Sequence, residues 1–182
     1  MKRIFLFLLL AALSLCFTSC YFSLTGLTGP HKLERFFDND AQVAEDTLEK
    51  LLSAIENKDE AGLKELFSQK AIAEDPDLDE SILRLFDFFQ GEILSYDDWG
   101  GPFSGMSRNG DGNSYKYLES TCDVETSKQN YRFAVQQFTI DTANPDNIGI
   151  SSLYVILFED TDEQYAYLGD GEWAPGINVV TE

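Results

Sequence analysis

The sequence predicts an α+β domain over residues 38–182, with N-terminal helices packed on a strongly curved, cone-shaped antiparallel β-sheet. Three observations predict it. Apolar residues recur at helical spacing as far as Phe89. Beyond Gly91 the period drops from about 3.6 residues to two. In two of the later strands the alternation slips by one residue, which is the mark of a β-bulge. Helices first and antiparallel strands after is the α+β order.

The first helix is expected over residues 40–57, where Ala44, Leu48, Leu51 and Ile55 form one apolar stripe. "ENKDEAGLKELFS" reads as a stop and restart, with Asp59 as N-cap of a short helix carrying Leu63, Leu66 and Phe67. A third helix starts near Asp77 or Asp79. Glu80, three residues after Asp77, suggests a capping box. Ile82, Leu85, Phe86 and Phe89 give its buried stripe, and Gly91 supplies the C′ stop.

"GEILSYDDWG" reads as the first strand and "GPFSGMSRNGDGNS" as a Gly-rich loop or long turn. "YKYLESTCDVET" and "YRFAVQQFTID" are two strands joined by "SKQN". "TANPDN" is another turn, and "IGISSLYVILFE" is the most apolar strand. The phase slips fall at Gln136-Gln137 and at Ser151-Ser152, and together they would bend the sheet. In the most apolar strand Leu153, Val155 and Leu157 are expected to face the helices. Tyr154, Ile156 and Phe158 then face away and need a second cover. Either the tail supplies it, through Tyr165, Tyr167 or Trp173, or a second copy of the chain does. The tail is favoured, hence a monomer over a dimer, because dense like charge opposes self-association.

The N-terminus is of another kind. Lys2 and Arg3 precede residues 4–15, a nearly uninterrupted apolar run. A spanning helix needs about 20 such residues, so this run fits the core of a secretory signal. Its end, "FTSC", resembles the bacterial lipobox: a bulky apolar residue and two small ones before a cysteine. Cys16 has bulky Leu15 where a small residue is needed. The resemblance implies a signal over residues 1–19 and lipid attachment at Cys20, with acyl chains such as palmitate. Two chains anchor stably, since each buried CH₂ contributes about 0.8 kcal/mol. Residues 20–37, broken by Gly and Pro, would be a tether, and the location the extracytoplasmic face of the cell membrane.

The formal net charge is −19. Such a chain repels phosphate backbones, so nucleic acid is excluded as a partner, and it repels anionic headgroups, so the lipid must do the anchoring. Within the domain Cys122 has no cysteine to pair with, and its alternating context predicts a buried, inert thiol.

Helix endings such as "SAIENKDEAGLKELFSQKA", a third helix and a bent sheet resemble the nuclear transport factor 2-like superfamily, also called cystatin-like or ketosteroid isomerase-like. The lipobox, "LRLFDFFQGEILSYD" and "WAPGINVV" are similar to a group of uncharacterised bacterial lipoproteins with that fold. The resemblance covers residues 40–180. It implies a cone whose mouth can hold a ligand, and Trp99, Phe103, Tyr115, Tyr117 and Tyr131 are the candidate aromatics there, with ordinary core packing as their alternative role.

Enzymes of the superfamily use an Asp or a His-Asp pair in the cone. The single histidine, His31, lies in the tether, which leaves Asp97 or Asp98 beside Trp99 as a possible base, against a role as solvated turn residues. Asn109, Asp111 and Asn113 have the spacing of a calcium loop but meet Ser114 and Ser120 where Gly and Glu are required. Asp75, Asp77 and Asp79 lack the glycine too and are assigned to helix capping. No metal and no cofactor are therefore expected. The expectation is a lipid-anchored extracytoplasmic module that binds an unknown small molecule or protein. The alternative is a small cone-pocket enzyme, of isomerase or hydrolase type, with an Asp base.

Overall fold

Leu48, Leu51, Leu52 and Ile55 lie on one side of a single helix and are all buried. That stripe fixes helix α1 (Asp40–Glu56) against the rest of the fold. The structure is a computed structural model and describes residues 40–98, 101–160 and 172–180. The expected leader, Cys20, the tether with His31, and Trp99 lie outside the described residues.

Helix α2 (Glu60–Glu65) begins where Asp59 was expected to cap it, its carboxylate accepting the Gly62 N–H at 2.9 Å. Leu63 and Phe67 bury behind it. A further helix, α3 (Gln69–Glu74), was not anticipated; six residues carry too little periodicity to be read. Its signal is the cap, since Ser68 Oγ accepts the Ala71 N–H at 3.0 Å. Helix α4 (Leu78–Phe88) starts at Asp77 as expected, but the capping box does not form. The Asp77 side chain makes no cap bond, and its N–H donates instead to Asp75 Oδ1 at 3.1 Å. The expected stripe of Ile82, Leu85, Phe86 and Phe89 is buried. The helix ends at Phe88 with Phe89 already extended, and Gly91 follows beyond the cap. Among the described residues no helix is long and apolar enough to cross a membrane.

The strands are β1 (Ile93–Asp98), β2 (Phe103–Arg108), β3 (Ser114–Thr126), β4 (Asn130–Asp141), β5 (Gly149–Leu157) and β6 (Gly176–Val180). Two corrections follow. The stretch read as a Gly-rich loop contains β2, which pairs antiparallel with β3 from Phe103↔Glu119 to Arg108↔Ser114. Its alternation is masked because the positions between Phe103 and Arg108 are mostly Ser and Gly. Nor is the sheet wholly antiparallel, because β6 pairs parallel with β5, from Ser152↔Gly176 to Ile156↔Val180. Residues 158–175 provide the crossover length that a parallel pair requires.

The strand order is β1-β3-β4-β5-β6, and β2 shares the β1 side of β3. The long strand β3 thus carries two short strands end to end: β1 stops at Asp98↔Cys122 and β2 starts at Phe103↔Glu119.

Pairing shifts between Gln136 and Gln137 across the β4–β5 ladder, where Ser151 is the extra residue. The slip expected at Ser151-Ser152 is this irregularity; Gln136-Gln137 is only the step opposite it, and β4 itself has no extra residue there. Ser151 Oγ lies 2.9 Å from Gln136 Oε1 and ties it across. The alternation of β4 itself runs on through buried Gln137, which Thr47 of α1 contacts at 2.9 Å. Its own extra residue comes later, at Thr139, opposite the Lys116–Tyr117 step of β3. Phe138 consequently turns away from the helices rather than toward them, opposite Tyr117. A third shift, at Leu94, interrupts β1.

The helix-facing side carries Cys122 and Val124 from β3, Tyr131, Phe133 and Val135 from β4, and Leu153 and Val155 from β5. They meet Leu51, Ile55, Leu63, Ile82 and Leu85 in one core, each large side chain contributing about 1.5–3 kcal/mol on burial. On the other side Tyr154 and Ile156 are also buried, as the two-sided apolar pattern requires. The tail does reach this face. Trp173 meets Tyr154 edge-on at 6.0 Å, and the Tyr154 hydroxyl lies 3.1 Å from Glu172 O and accepts the Ala174 N–H at 3.2 Å. Phe158 instead starts a 3-10 turn and stays exposed beneath the Arg132 guanidinium. Tyr165 and Tyr167 lie outside the described residues.

Candidate functional site

Where β1 gives way to β2, the edge of the sheet is broken. Ser120 and Thr121 of β3 lie opposite that break, between the last β1 pair and the first β2 pair. A cavity of about 280 Å³ opens there, between the N-terminal half of α1 and the helix-facing side of the sheet. Its volume is near the lower end of the range that small-ligand sites occupy, about 300–1,000 Å³.

The cavity exists because α1 presents small residues to this part of the sheet. Ala41, Ala44 and Leu48 share a face at helical spacing and all line it. Larger residues at the two alanines would close the space. Leu48, Cys122, Phe133 and Val135 are buried and supply an apolar floor. Glu45, Asp97 and Asp98 are exposed and supply the rim. Tyr96, Thr47 and Ser120 add hydroxyl groups.

Alternation separates the two aspartates. Tyr96 pairs with Val124 and Asp98 with Cys122, both core residues of β3, so Tyr96 and Asp98 face α1. The Tyr96 hydroxyl lies 3.4 Å from Glu49 Oε1 on that helix. Asp97 pairs with Asp123 and belongs to the other face.

Two protonated groups report the local field. Burial pushes the Cys122 thiol up to about 12, with Asp123, Asp98 and Asp97 adding to it. A thiol so held is not a thiolate at neutral pH, and nucleophilic chemistry requires the thiolate. The Tyr96 hydroxyl is also raised, by desolvation first and then by Glu49 and Glu45. The charged residues lining the cavity are all acidic.

The candidate aromatics divide. Tyr131 is fully buried, and its hydroxyl closes the end of α4 by donating to Phe88 O at 2.8 Å and accepting the Gln90 N–H at 2.7 Å. It is a structural residue that touches no cavity wall. Phe103, Tyr115 and Tyr117 share one face, but it is the side of the sheet away from the helices. Phe103 is 65% exposed, and Tyr115 stacks beside Tyr117 at 6.4 Å. Tyr117 also meets Phe138 at 6.0 Å. The Tyr117 ring lies flat over Gly105, where an added Cβ would fall 2.3 Å from the ring. Trp99 lies outside the described residues.

The remaining acidic motifs are engaged in local structure. Asp111 closes the β2–β3 turn by accepting the Asn113 N–H at 3.0 Å. Among the described residues no three His, Cys, Asp or Glu side chains gather as a metal site.

Of the cavity, the sequence had offered Asp97 and Asp98 and the buried thiol. Glu45, Thr47, Ser120 and Thr121 were missed. The available signal was the pair of alanines on the otherwise bulky stripe of α1.

A family model described as a domain of unknown function, DUF5104, matches residues 50–159 of the chain. The matched span holds the strand walls of the cavity and the second half of α1. No curated protein matches the chain.

Proposed function

The chain belongs to the DUF5104 family, a domain of unknown function, and we propose that it is a lipid-anchored extracytoplasmic binding module whose ligand occupies the cavity between α1 and the sheet. The observation that carries this reading is an apolar floor of Leu48, Phe133 and Val135 under a rim of polar and acidic groups. That combination suits a small molecule, with area for affinity and a few polar groups for orientation. The anchor rests on the leader run and on "FTSC", with Cys20 as the acylated residue.

In fold this reading makes the domain a nuclear transport factor 2-like cone. Helices preceding the sheet support it, as do the three pairing shifts at Leu94, Thr139 and Ser151, because each extra residue increases local twist and bend. A monomer is favoured, since residues 172–174 of the same chain already cover Tyr154. The exposed aromatics Phe103 and Tyr115, with half-buried Tyr117, are left as a secondary contact surface.

The enzyme alternative rests on Asp98, which faces the cavity beside Cys122. A general base gains from exclusion of water, and Asp98 is exposed. Binding is therefore the stronger reading.

A ligand-observed NMR screen of small ring compounds against the chain tests it. Hits should be lost in Ala44→Trp, which sets an indole into the cavity from the helix side. Hits that survive that substitution unchanged would place binding elsewhere.

A further inference from the structure

We propose that the cavity selects an organic cation, an apolar body about the size of one ring that carries an ammonium group. The inference rests on the pocket reading above and names its ligand class.

The floor demands an apolar body, because Leu48, Phe133 and Val135 offer no polar side-chain atom. The rim sets the charge. Glu45, Asp97 and Asp98 line the cavity, and no Lys, Arg or His accompanies them among the described lining residues. The basic side chains of β3 and β4 are spent elsewhere. Lys116 pairs with Asp40, and Arg132 holds Asp123 through two bonds of 2.7 and 3.0 Å. Among the described residues no ion pair joins Glu45 or Asp98 to a cation.

One feature of the fold opposes this sign. The N-terminus of α1 lies beside the cavity and contributes about half a positive charge, which favours anions. Glu45 and Asp98, the carboxylates on the cavity's own face, outweigh it. The same field adds to burial at two groups in the wall, Asp123, Asp98 and Asp97 raising the Cys122 thiol and Glu49 and Glu45 raising the Tyr96 hydroxyl. A carboxylate or phosphate ligand would meet the same field and be repelled. A cation relieves it and brings its apolar body over the floor.

The test is a titration of the chain at low ionic strength with three probes of one shape: 2-phenylethylamine, 2-phenylethanol and 3-phenylpropionate. The amine should bind at least about tenfold more tightly than the alcohol, with the acid weakest, and added salt should narrow the gap. The double variant Glu45→Gln, Asp98→Asn should bring the amine to the level of the alcohol. Both positions are exposed, so urea unfolding should remain near that of the parent chain. Alcohol or acid binding as tightly as the amine, and lost in Ala44→Trp, would overturn the cation inference while the pocket reading stands. Amine binding that survives Ala44→Trp would be surface attraction and would also overturn it. If none of the three binds, the pocket reading falls and this inference with it.

Discussion

Lys116, a buried cation near the start of β3 on the sheet's helix-facing side, pairs with the carboxylate of Asp40 at the first residue of α1. The lysine side chain is 9% exposed and the aspartate 28%. This pair ties α1 to β3, and both line the cavity. Removing one partner strands the other, and breaking a fully buried pair costs about 3–5 kcal/mol. Because Asp40 is partly solvated, Asp40→Asn should cost less, about 1–3 kcal/mol by urea unfolding. Lys116→Met, which fills the same channel with apolar atoms, should cost less than Lys116→Ala. Equal stability of all three variants and the parent would mean that the pair does not hold α1.

Gly176 opens β6 in the left-handed region, at φ +81°, and the Asp75 carboxylate packs against it. An added Cβ would lie 1.9 Å from Asp75 Oδ2. Gly176→Ala should therefore destabilise by more than the roughly 1–2 kcal/mol of left-handed strain alone. The double variant Gly176→Ala, Asp75→Ala should recover the steric part and keep the strain. A double-mutant cycle with no coupling would show that the contact is unimportant.

Cys122 should resist alkylation. With its thiol pushed up to about 12, iodoacetamide at pH 8 should label it at least about a hundredfold more slowly in the folded chain than in urea. Peptide mass mapping separates it from Cys16 and Cys20. The linkage has a definite sign. A thiol raised in the folded state contributes stability that is complete below its unfolded value near 9 and is lost as pH rises toward about 12. Cys122→Ala should flatten part of that loss, the rest belonging to groups such as Tyr96, also raised. Rapid labelling in the folded state would show that the thiol is accessible and ionised.

Cys20 should carry the lipid. Cys20→Ser expressed in a bacterium that lipidates exported proteins should release the domain from membranes or leave an uncleaved precursor, while Cys16→Ser should do neither. Intact mass decides it. A membrane-bound polypeptide that starts elsewhere and lacks acyl mass would remove the anchor from the account.

The helices and long strands were legible because each carries its own period. The stripe of α1 and the alternation of β3, β4 and β5 are local facts that packing preserved. What stayed hidden depended on partners distant in sequence. Strand β2 has mostly Ser and Gly between Phe103 and Arg108, and it is a strand only because β3 offers it an edge. The parallel pairing of β6 is set by where the chain returns, not by any residue within "GINVV". The aromatics Phe103, Tyr115 and Tyr117 were expected at the mouth of a cone and lie on the opposite face, because one-residue alternation decides their side and the sequence does not say which side the helices cover. Tyr131 was readable as an inward residue, but only the structure shows its hydroxyl closing α4. The cavity was least legible of all, since it is defined by what Ala41 and Ala44 leave unfilled.

The most direct measurement of the central claim is amide chemical-shift mapping of the ¹⁵N-labelled chain titrated with 2-phenylethylamine. The account predicts the largest shifts at Thr47, Leu48, Asp98, Thr121, Cys122 and Val135, around the cavity, with little change on the opposite face. Shifts that instead concentrate at Phe103, Tyr115, Tyr117 and Phe138 would contradict it and move the binding site to the outer aromatic surface.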